Sequence, residues 1–487
     1  MTRRFWIGFA FLILATGVPA SLYAQAQPPK PKKLGPVEVT GSLRLRAESW
    51  NWFDTSAADG TYGFGASLLR LGIGQKRSKF DWQVEIAQPL LLNLPDDAIA
   101  PPPQGQLGLG ATYFATNGRR FSALVFLKQG FVRFKGVGGD ANSLRLGRFE
   151  FMEGAETAPK DPTLAALKRD RVAHRLIGNF GFSHVGRSFD ALQFVRETPE
   201  SNLTVMAGRA TQGVFNVNGM PELDVDVIYG AHTRPMKRLG PGEWRVFALH
   251  YHDGRGALKT DNRPLPVRTT DQENIRIGTF GGHLLQTFKA GSGTADLLIW
   301  GAVQVGRWGR LGHRAGAVAV EAGYQRNFPK LKPWVRAGYF RSSGDGNPSD
   351  DQHSTFFQAL PTPRIYARFP FYNLMNNEDA FVQLLLRPHK RLQLRSDFHT
   401  LRLSSGADLW YQGGGAYEQT SFGYSGRPSG GNRSLASVFD LSADVQVSSQ
   451  VSLGFYFAQA NGKRVISKIY PEDRDGRFGY VELLWRF

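Results

Sequence analysis

An antiparallel transmembrane β-barrel of eighteen strands is the architecture this sequence predicts, and three observations predict it. Segments of about ten residues alternate apolar and polar side chains along the chain, and almost none keeps a helical period for more than two turns. The connections between these segments are alternately short and long. The last segment, "RFGYVELLWRF", alternates up to an aromatic final residue, with Gly479, Val481, Leu483, Trp485 and Phe487 on one face and Tyr480, Glu482 and Arg486 on the other.

The chain opens with Arg3 and Arg4, an apolar run from Phe5 to about Val18 and a small-residue site at Ala24-Gln25-Ala26. Residues 1–26 are therefore expected to be a cleaved secretory signal on the general route, too short in their apolar run to span a bilayer. Residues 27–36, "QPPKPKKLGP", are expected to be a stiff periplasmic tether, because closely spaced prolines cannot form a helix. Residues 37–487 are expected to form one barrel.

Candidate strands start near Val37, Tyr62, Phe80, Phe121, Ser143, Arg187, Asn202, Glu222, Glu243, Asn274, Thr294, Arg314, Trp334, Ala380, Arg391, Leu435, Gln450 and Phe478. In "KFDWQVEIAQ", Phe80, Trp82, Val84 and Ile86 oppose Asp81, Gln83 and Glu85; in "SVFDLSADVQV", Phe439, Leu441, Ala443 and Val445 oppose Asp440, Ser442, Asp444 and Gln446. A soluble sheet of so many alternating strands would have to cover its edges, whereas closure removes them. The short connections "QKRSK", "GVGGDAN", "ETPES", "KAGSG", "RPHK" and "SSQ" suit periplasmic turns and the long Gly-, Pro-, Asp- and Ser-rich ones suit extracellular loops, so the expected location is the bacterial outer membrane with both termini periplasmic.

The polar rows of such a barrel face the lumen and the apolar rows face lipid. In "SLRLRAESWNWF" this turns Arg44, Arg46 and Glu48 inward, and Trp50, Trp52 and Phe53 are expected at the outer rim as an aromatic girdle. Parity adds Arg70, Arg133, Lys135, Arg336, Arg395 and Arg486 to the lumen, with Asp81, Glu85, Asp397 and Asp444 as candidate partners. Lys and Arg number 59 against 41 Asp and Glu; without Arg3 and Arg4 the balance is still +16. Incomplete pairing in a confined channel raises the local concentration of anions. The competing reading puts much of the excess in turns beside lipid phosphates.

Nothing in the sequence reads as catalysis. With no cysteine there is no disulfide, lipoprotein anchor or thiolate metal site. The ten histidines lack metal spacing: His250 and His252 share a strand face without a carboxylate in the motif. Walker loops and nucleophile elbows are missing.

Several blocks carry a family likeness: "GQLGLGATYFATNG", "LKQGFVRFK", "SLRLGRFEFMEGAE", "RLIGNFGFSHVGRSFDALQF", "SSGDGNPSDDQHSTF", "RPHKRLQLRSDFHTLRL" and "ADLWYQGGGA". Together they resemble the alginate export family of outer-membrane porins over nearly all of the mature chain. The resemblance implies an electropositive constriction that passes a uronic-acid polymer outward, with Arg145, Arg148, Glu150, Arg187 and Asp190 helping to form it. Parity opposes part of this: Arg148 falls with Leu144 and Leu146, and Asp190 with Leu192 and Phe194, so bulges at Gly147 and near Ala191 are required to turn them inward. The chain also departs from the family in having only "VSSQ" between strands sixteen and seventeen, where members can carry a long periplasmic turn over the exit.

The expected function is thus a passive, non-enzymatic pore, lined by Arg44, Arg46, Arg133, Arg145, Arg148, Glu150, Arg187, Asp190, Arg336, Arg395 and Asp397. Its solute would be an anionic polysaccharide or its fragments; a general anion or small-carboxylate porin is the alternative, and a barrel enzyme on lipid or glycan a more distant one. Expected partners are outer-membrane lipid, the anionic solute and candidate periplasmic secretion proteins, with no nucleic acid, no cofactor, no metal and a monomeric state. Residues 89–118 show little secondary structure of their own, and are expected to form an extracellular lid whose Asp96 and Asp97 pair with lumen arginines.

Overall fold

A computed structural model describes residues 31–328, 330–362 and 365–487; the signal segment lies outside the described residues. Among the described residues, eighteen strands form the barrel wall: β1 (Val37–Asn51), β2 (Thr61–Lys76), β3 (Phe80–Leu92), β4 (Phe126–Lys135), β5 (Asn142–Phe149), β6 (Phe189–Glu197), β7 (Asn202–Thr211), β8 (Glu222–Met236), β9 (Gly242–Asp253), β10 (Ile275–Ala290), β11 (Gly293–Trp308), β12 (Leu311–Arg326), β13 (Trp334–Ser342), β14 (Asn377–His389), β15 (Leu392–Leu403), β16 (Ser434–Gln446), β17 (Val451–Gly462) and β18 (Asp475–Arg486). Every predicted start lies within five residues of an observed one. Neighbours pair antiparallel, and β1 closes on β18 from Ser42↔Arg486 to Asn51↔Arg477. Closure pairs the backbone groups that lipid cannot satisfy. No helix among the described residues is long and apolar enough to cross a membrane.

The seam is finished by the last residue. Phe487 exchanges two backbone hydrogen bonds with Gly41, each 2.9 Å, and its ring lies where a Cβ on residue 41 would stand. Only glycine lets the two ends meet this closely. Trp485 packs on Phe487 at 4.6 Å between ring centroids.

The alternation sorts the wall as expected. Ile228, Val246, Phe280, Val303, Val382 and Phe398 form an exposed apolar exterior, while their neighbours in sequence are buried inside. All the connections predicted to be periplasmic turns are short, including residues 447–450 between β16 and β17. Lys32–Leu34, assigned above to the tether, folds back as a short strand on Val37–Val39.

The long loops do not stand off into solvent. Four of them, between β3 and β4, β5 and β6, β13 and β14, and β15 and β16, enter the barrel and supply much of its buried interior. Trp50, Trp52 and Phe53 are buried in this plug and are not the girdle expected at the rim. Trp50 stacks on Phe478 at 4.1 Å, and Phe53 packs on Phe371 at 5.5 Å. Trp50 has the parity of Arg46 and Glu48, so it points inward as they do; the strand ends at Asn51 and the chain then turns over the mouth.

The first plug loop corrects a second expectation. Residues 89–92 continue β3, and α1 (Leu109–Asn117) forms inside the stretch read as irregular. Leu94, Ala98, Leu107 and Tyr113 are buried, so the segment does pack into the mouth. Its acids do not latch onto the wall: Asp96 pairs at 3.2 Å with Arg120 of the same loop, and both are half exposed.

Candidate functional site

The lumen is built around residues 150–188, the loop between β5 and β6. Asp161 caps α2 (Pro162–Leu167) by accepting from the Leu164 amide at 2.9 Å, and Pro162 stands at the first helical position where its missing N–H costs nothing. A π-helical turn, Lys168–Val172, follows. It aims "KRDRVAHR" at the wall: Lys168 reaches Glu243 at 2.8 Å, Arg171 reaches Glu321 at 2.9 Å, and Arg175 reaches the same Glu321 at 3.5 Å. Sequence reasoning confined to strands missed these cations. The available signal was a dense basic run in the middle of a long loop.

Of the sequence-predicted cations, Arg44 and Arg46 project from β1 and hold the tip of this loop. Arg44 donates to the Gly181 carbonyl at 2.6 Å and to that of Ser183; Arg46 donates to Phe182 O at 3.0 Å and pairs with Glu482 at 2.6 Å. His184 sits 2.9 Å from Glu48, and burial beside these two arginines outweighs that carboxylate and pushes its pKa down to about 4. Glu150, at the loop's start, joins Arg70 at 2.8 Å and Lys128 at 3.5 Å. Burial alone would raise its pKa, but the two cations hold it below the usual carboxylate range.

Arg187 lies at the far end of the loop, wholly buried and without a carboxylate partner. It donates to four backbone carbonyls drawn from three loops: Gly178 (3.4 Å), Leu360 (2.9 Å), Gly414 (3.2 Å) and Ala416 (2.8 Å). Burial lowers its pKa to about 10, which leaves it charged at neutral pH. Its position is that of a staple between plug loops.

Arg336 is likewise enclosed, 1% exposed, and is neutralised by Asp296 and by Glu321 at 3.0 Å. Arg395 bonds Asp397 at 2.6 Å and the Tyr366 carbonyl at 3.0 Å, and keeps part of its surface open. Arg133 and Lys135 share the single carboxylate Asp81 while remaining 44% and 37% exposed. Arg145 donates to Gln193 at 2.5 Å and lies 3.7 Å over the Phe149 ring, and no carboxylate among the described residues pairs with it. These last four cations lie toward the periplasmic end, on the inward row.

Arg148 and Asp190 pair, Nε to Oδ1 at 2.7 Å, but on the other face. The register runs unbroken through Gly147↔Ala191 and Arg148↔Asp190, so the bulges required to turn them inward are absent from this ladder. Both continue the outward row of Leu146 and Leu192, and the row extends across β7 and β8 as Asp190↔Arg209↔Asp226. The register break lies one strand earlier, between Glu85 and Ile86, where Lys128 is the extra residue and turns inward.

At the extracellular end the loops leave a cavity of about 250 Å³, lined by the aromatics Trp52, Phe215, Tyr417 and Tyr424 and the amides of Gln106 and Gln412. This extracellular cavity is thus lined by aromatics and amides, whereas the cations Arg133, Lys135 and Arg145 stand at the periplasmic end of the lumen.

The family profile described as "Alginate export" matches residues 123–459. The chain belongs to the alginate export family. A search of curated proteins returns no match for this chain. Among solved structures, it is similar to OccD3 (OpdP) of Pseudomonas aeruginosa, with 9% identity and a TM-score of 0.58 over 95% of this chain and 93% of that one. OccAB2 of Acinetobacter baumannii gives 7% identity and a TM-score of 0.56 over 93% and 98%. P. aeruginosa OpdK, solved with vanillate, gives 10% and 0.54 over 92% and 98%. At these identities the likeness concerns the fold, a porin barrel, and together with the family membership it places this chain in the bacterial outer membrane.

Proposed function

We propose that this barrel is a passive, monomeric outer-membrane channel, without catalysis, for an anionic polysaccharide of uronic-acid type or its fragments. The observation that carries the reading is the surplus of partly exposed lumen cations over their acid partners: Arg133 and Lys135 on one Asp81, and Arg145 on a neutral Gln193. In a channel walled by protein, such cations lower the cost of bringing a carboxylate out of bulk water. A polymer with a carboxylate on each sugar would pass from one cation to the next. Family membership supports the polymer.

A second reading, a porin for small carboxylates, is favoured by the depth to which loops fill the lumen and by the solved complex of OpdK with vanillate. Planar-bilayer recordings separate the two. Uronic-acid oligomers of increasing length should block the current with increasing residence time, and neutral oligomers of equal length should not. If affinity stops rising at the monomer, the polymer reading falls and the small-solute reading stands; if neutral sugars block equally, both fall.

A further inference from the structure

Behind Arg395 stands a group of side chains that solute passage leaves unused. Asp397 and Asp440 lie directly opposite each other in the ladder between β15 and β16, and His399 follows two residues after Asp397 on the same face. Asp379 of β14 engages Nδ1 of His399 at 3.0 Å. All four side chains are buried. Like charges directly opposite in a ladder repel, and in a buried position the repulsion is poorly screened.

The local compensation is incomplete. Arg395 serves Oδ2 of Asp397, and Arg171, which also faces this wall, is held by Glu321 at 2.9 Å. Three carboxylates (Asp379, Asp397, Asp440) stand against the one guanidinium of Arg395, and Arg171, which shares Glu321 with Arg175 and Arg336, is a second cation farther off, so the cluster keeps an excess of negative charge when His399 is neutral. Two buried atoms also lack any hydrogen-bond partner, Oδ1 of Asp397 and Nε2 of His399. Such orphans are rare in well-satisfied interiors and call for an explanation. Donor atoms of Asp397, His399 and Asp440 lie within 4.8 Å of one another, and no other group of this kind occurs among the described residues.

We propose that Asp397, His399 and Asp440 bind a divalent first-row transition ion, zinc by donor set. One imidazole nitrogen with carboxylate oxygens suits that ion, and the absence of thiolate does not exclude it. The Asp379 carboxylate on Nδ1 orients the ring so that Nε2 is the ligating nitrogen, the usual arrangement of a second carboxylate behind a metal-bound histidine. The ion's positive charge offsets that excess, and the ion satisfies both orphan atoms. Tetrahedral ligands at about 2.0–2.2 Å from zinc stand about 3.4 Å apart, so the side chains draw in by roughly an ångström on loading. Oδ2 of Asp440 accepts from Tyr456 at 2.9 Å, which anchors the third ligand. With the ion in place most of the negative field that these acids impose on Arg395 and the adjoining lumen is offset.

The test uses the full-length barrel in detergent, stripped with EDTA and then titrated with Zn²⁺, Mn²⁺ and Ca²⁺ separately, with bound metal measured by elemental mass spectrometry. The expected result is one equivalent of Zn²⁺ per chain, reduced at least tenfold in affinity in His399→Gln and in Asp440→Asn. The control Asp226→Asn, an outward acid beside His252, should bind as the wild type does. Zinc that is absent, or that binds equally to both variants, overturns the proposal. Should the variants fail to show the band shift of a folded barrel, Co²⁺ added to the wild type decides: a visible d–d spectrum of mixed nitrogen and oxygen coordination supports the site, and the spectrum of aqueous Co²⁺ overturns it. Metal binding does not depend on what the channel carries.

Discussion

Replacing Arg187 by methionine should free the plug while sparing the wall. The guanidinium makes two short bonds, to Leu360 at 2.9 Å and Ala416 at 2.8 Å, and two long ones near the limit of hydrogen bonding. A charged donor contributes ~1.5–3 kcal/mol per good bond, so the two short bonds account for about 3–6 kcal/mol. Methionine keeps much of the volume and supplies no donor, which leaves the Ala416 carbonyl without this partner and the Leu360 carbonyl with the Gly178 amide at 2.7 Å. At about 1.4 kcal/mol per factor of ten, the undocked population rises by roughly 10²–10⁴-fold. None of the acceptors belongs to a barrel strand, so the cost falls on docking of the loops. Arg187→Lys should behave nearly as badly, because an ammonium cannot fork to carbonyls of three loops. The assay pairs single-channel conductance with cleavage of the reconstituted barrel by protease added on the extracellular side; larger, noisier openings and faster loop cleavage are expected, with an unchanged heat-dependent gel shift. Unaltered conductance and cleavage in Arg187→Met would refute the staple.

Four further outcomes follow from the same structure. Neutralising Arg133, Lys135 and Arg145 together should move the reversal potential in a salt gradient toward cations, whereas Arg336→Gln should leave selectivity alone and lower thermal stability by about 3–5 kcal/mol, since it strands Asp296 in the interior with only the Trp334 indole donating to it, while Glu321 keeps Arg171 and Arg175. Acid should loosen the loop that carries His184. A histidine whose folded pKa is depressed to about 4 from about 6.5 stabilises the docked state as a neutral ring above about 6.5, and that stability is lost as pH falls from there through about 4, some ~3 kcal/mol in all; conductance should rise over that window and do so less in His184→Gln. Replacing residues 92–106 by a short Gly-Ser turn should raise conductance, because Leu94 and Ala98 then no longer fill the mouth. Gly41→Val should slow barrel closure, seen as a smaller heat-shifted fraction after refolding, because its side chain meets the Phe487 ring at the seam.

The sequence by itself determined the wall. Strand side chains alternate with period two, and lipid admits only closed sheets, so eighteen alternating segments with alternating loop lengths leave one architecture. The same parity sent Arg44, Arg133, Arg336 and Arg395 inward, and it also sent Arg148 and Asp190 outward; the family resemblance argued for bulges at Gly147 and Ala191, and the unbroken ladder upholds parity. What tertiary structure decided is everything the loops do. Period-two patterning says nothing of a segment that leaves the wall and re-enters the lumen, so Arg171 and Arg175, the burial of Trp50 and Phe53, and the helix at Leu109–Asn117 were not legible. Charge state was equally hidden: Arg336 and Arg145 look alike as inward cations, yet one meets two buried acids and the other an amide, because pairing depends on which residues a neighbouring strand or loop brings within about 4 Å. The cluster of Asp397, His399 and Asp440 joins residues 41 or more positions apart across a ladder, a distance at which no spacing motif exists and only the register brings the side chains together.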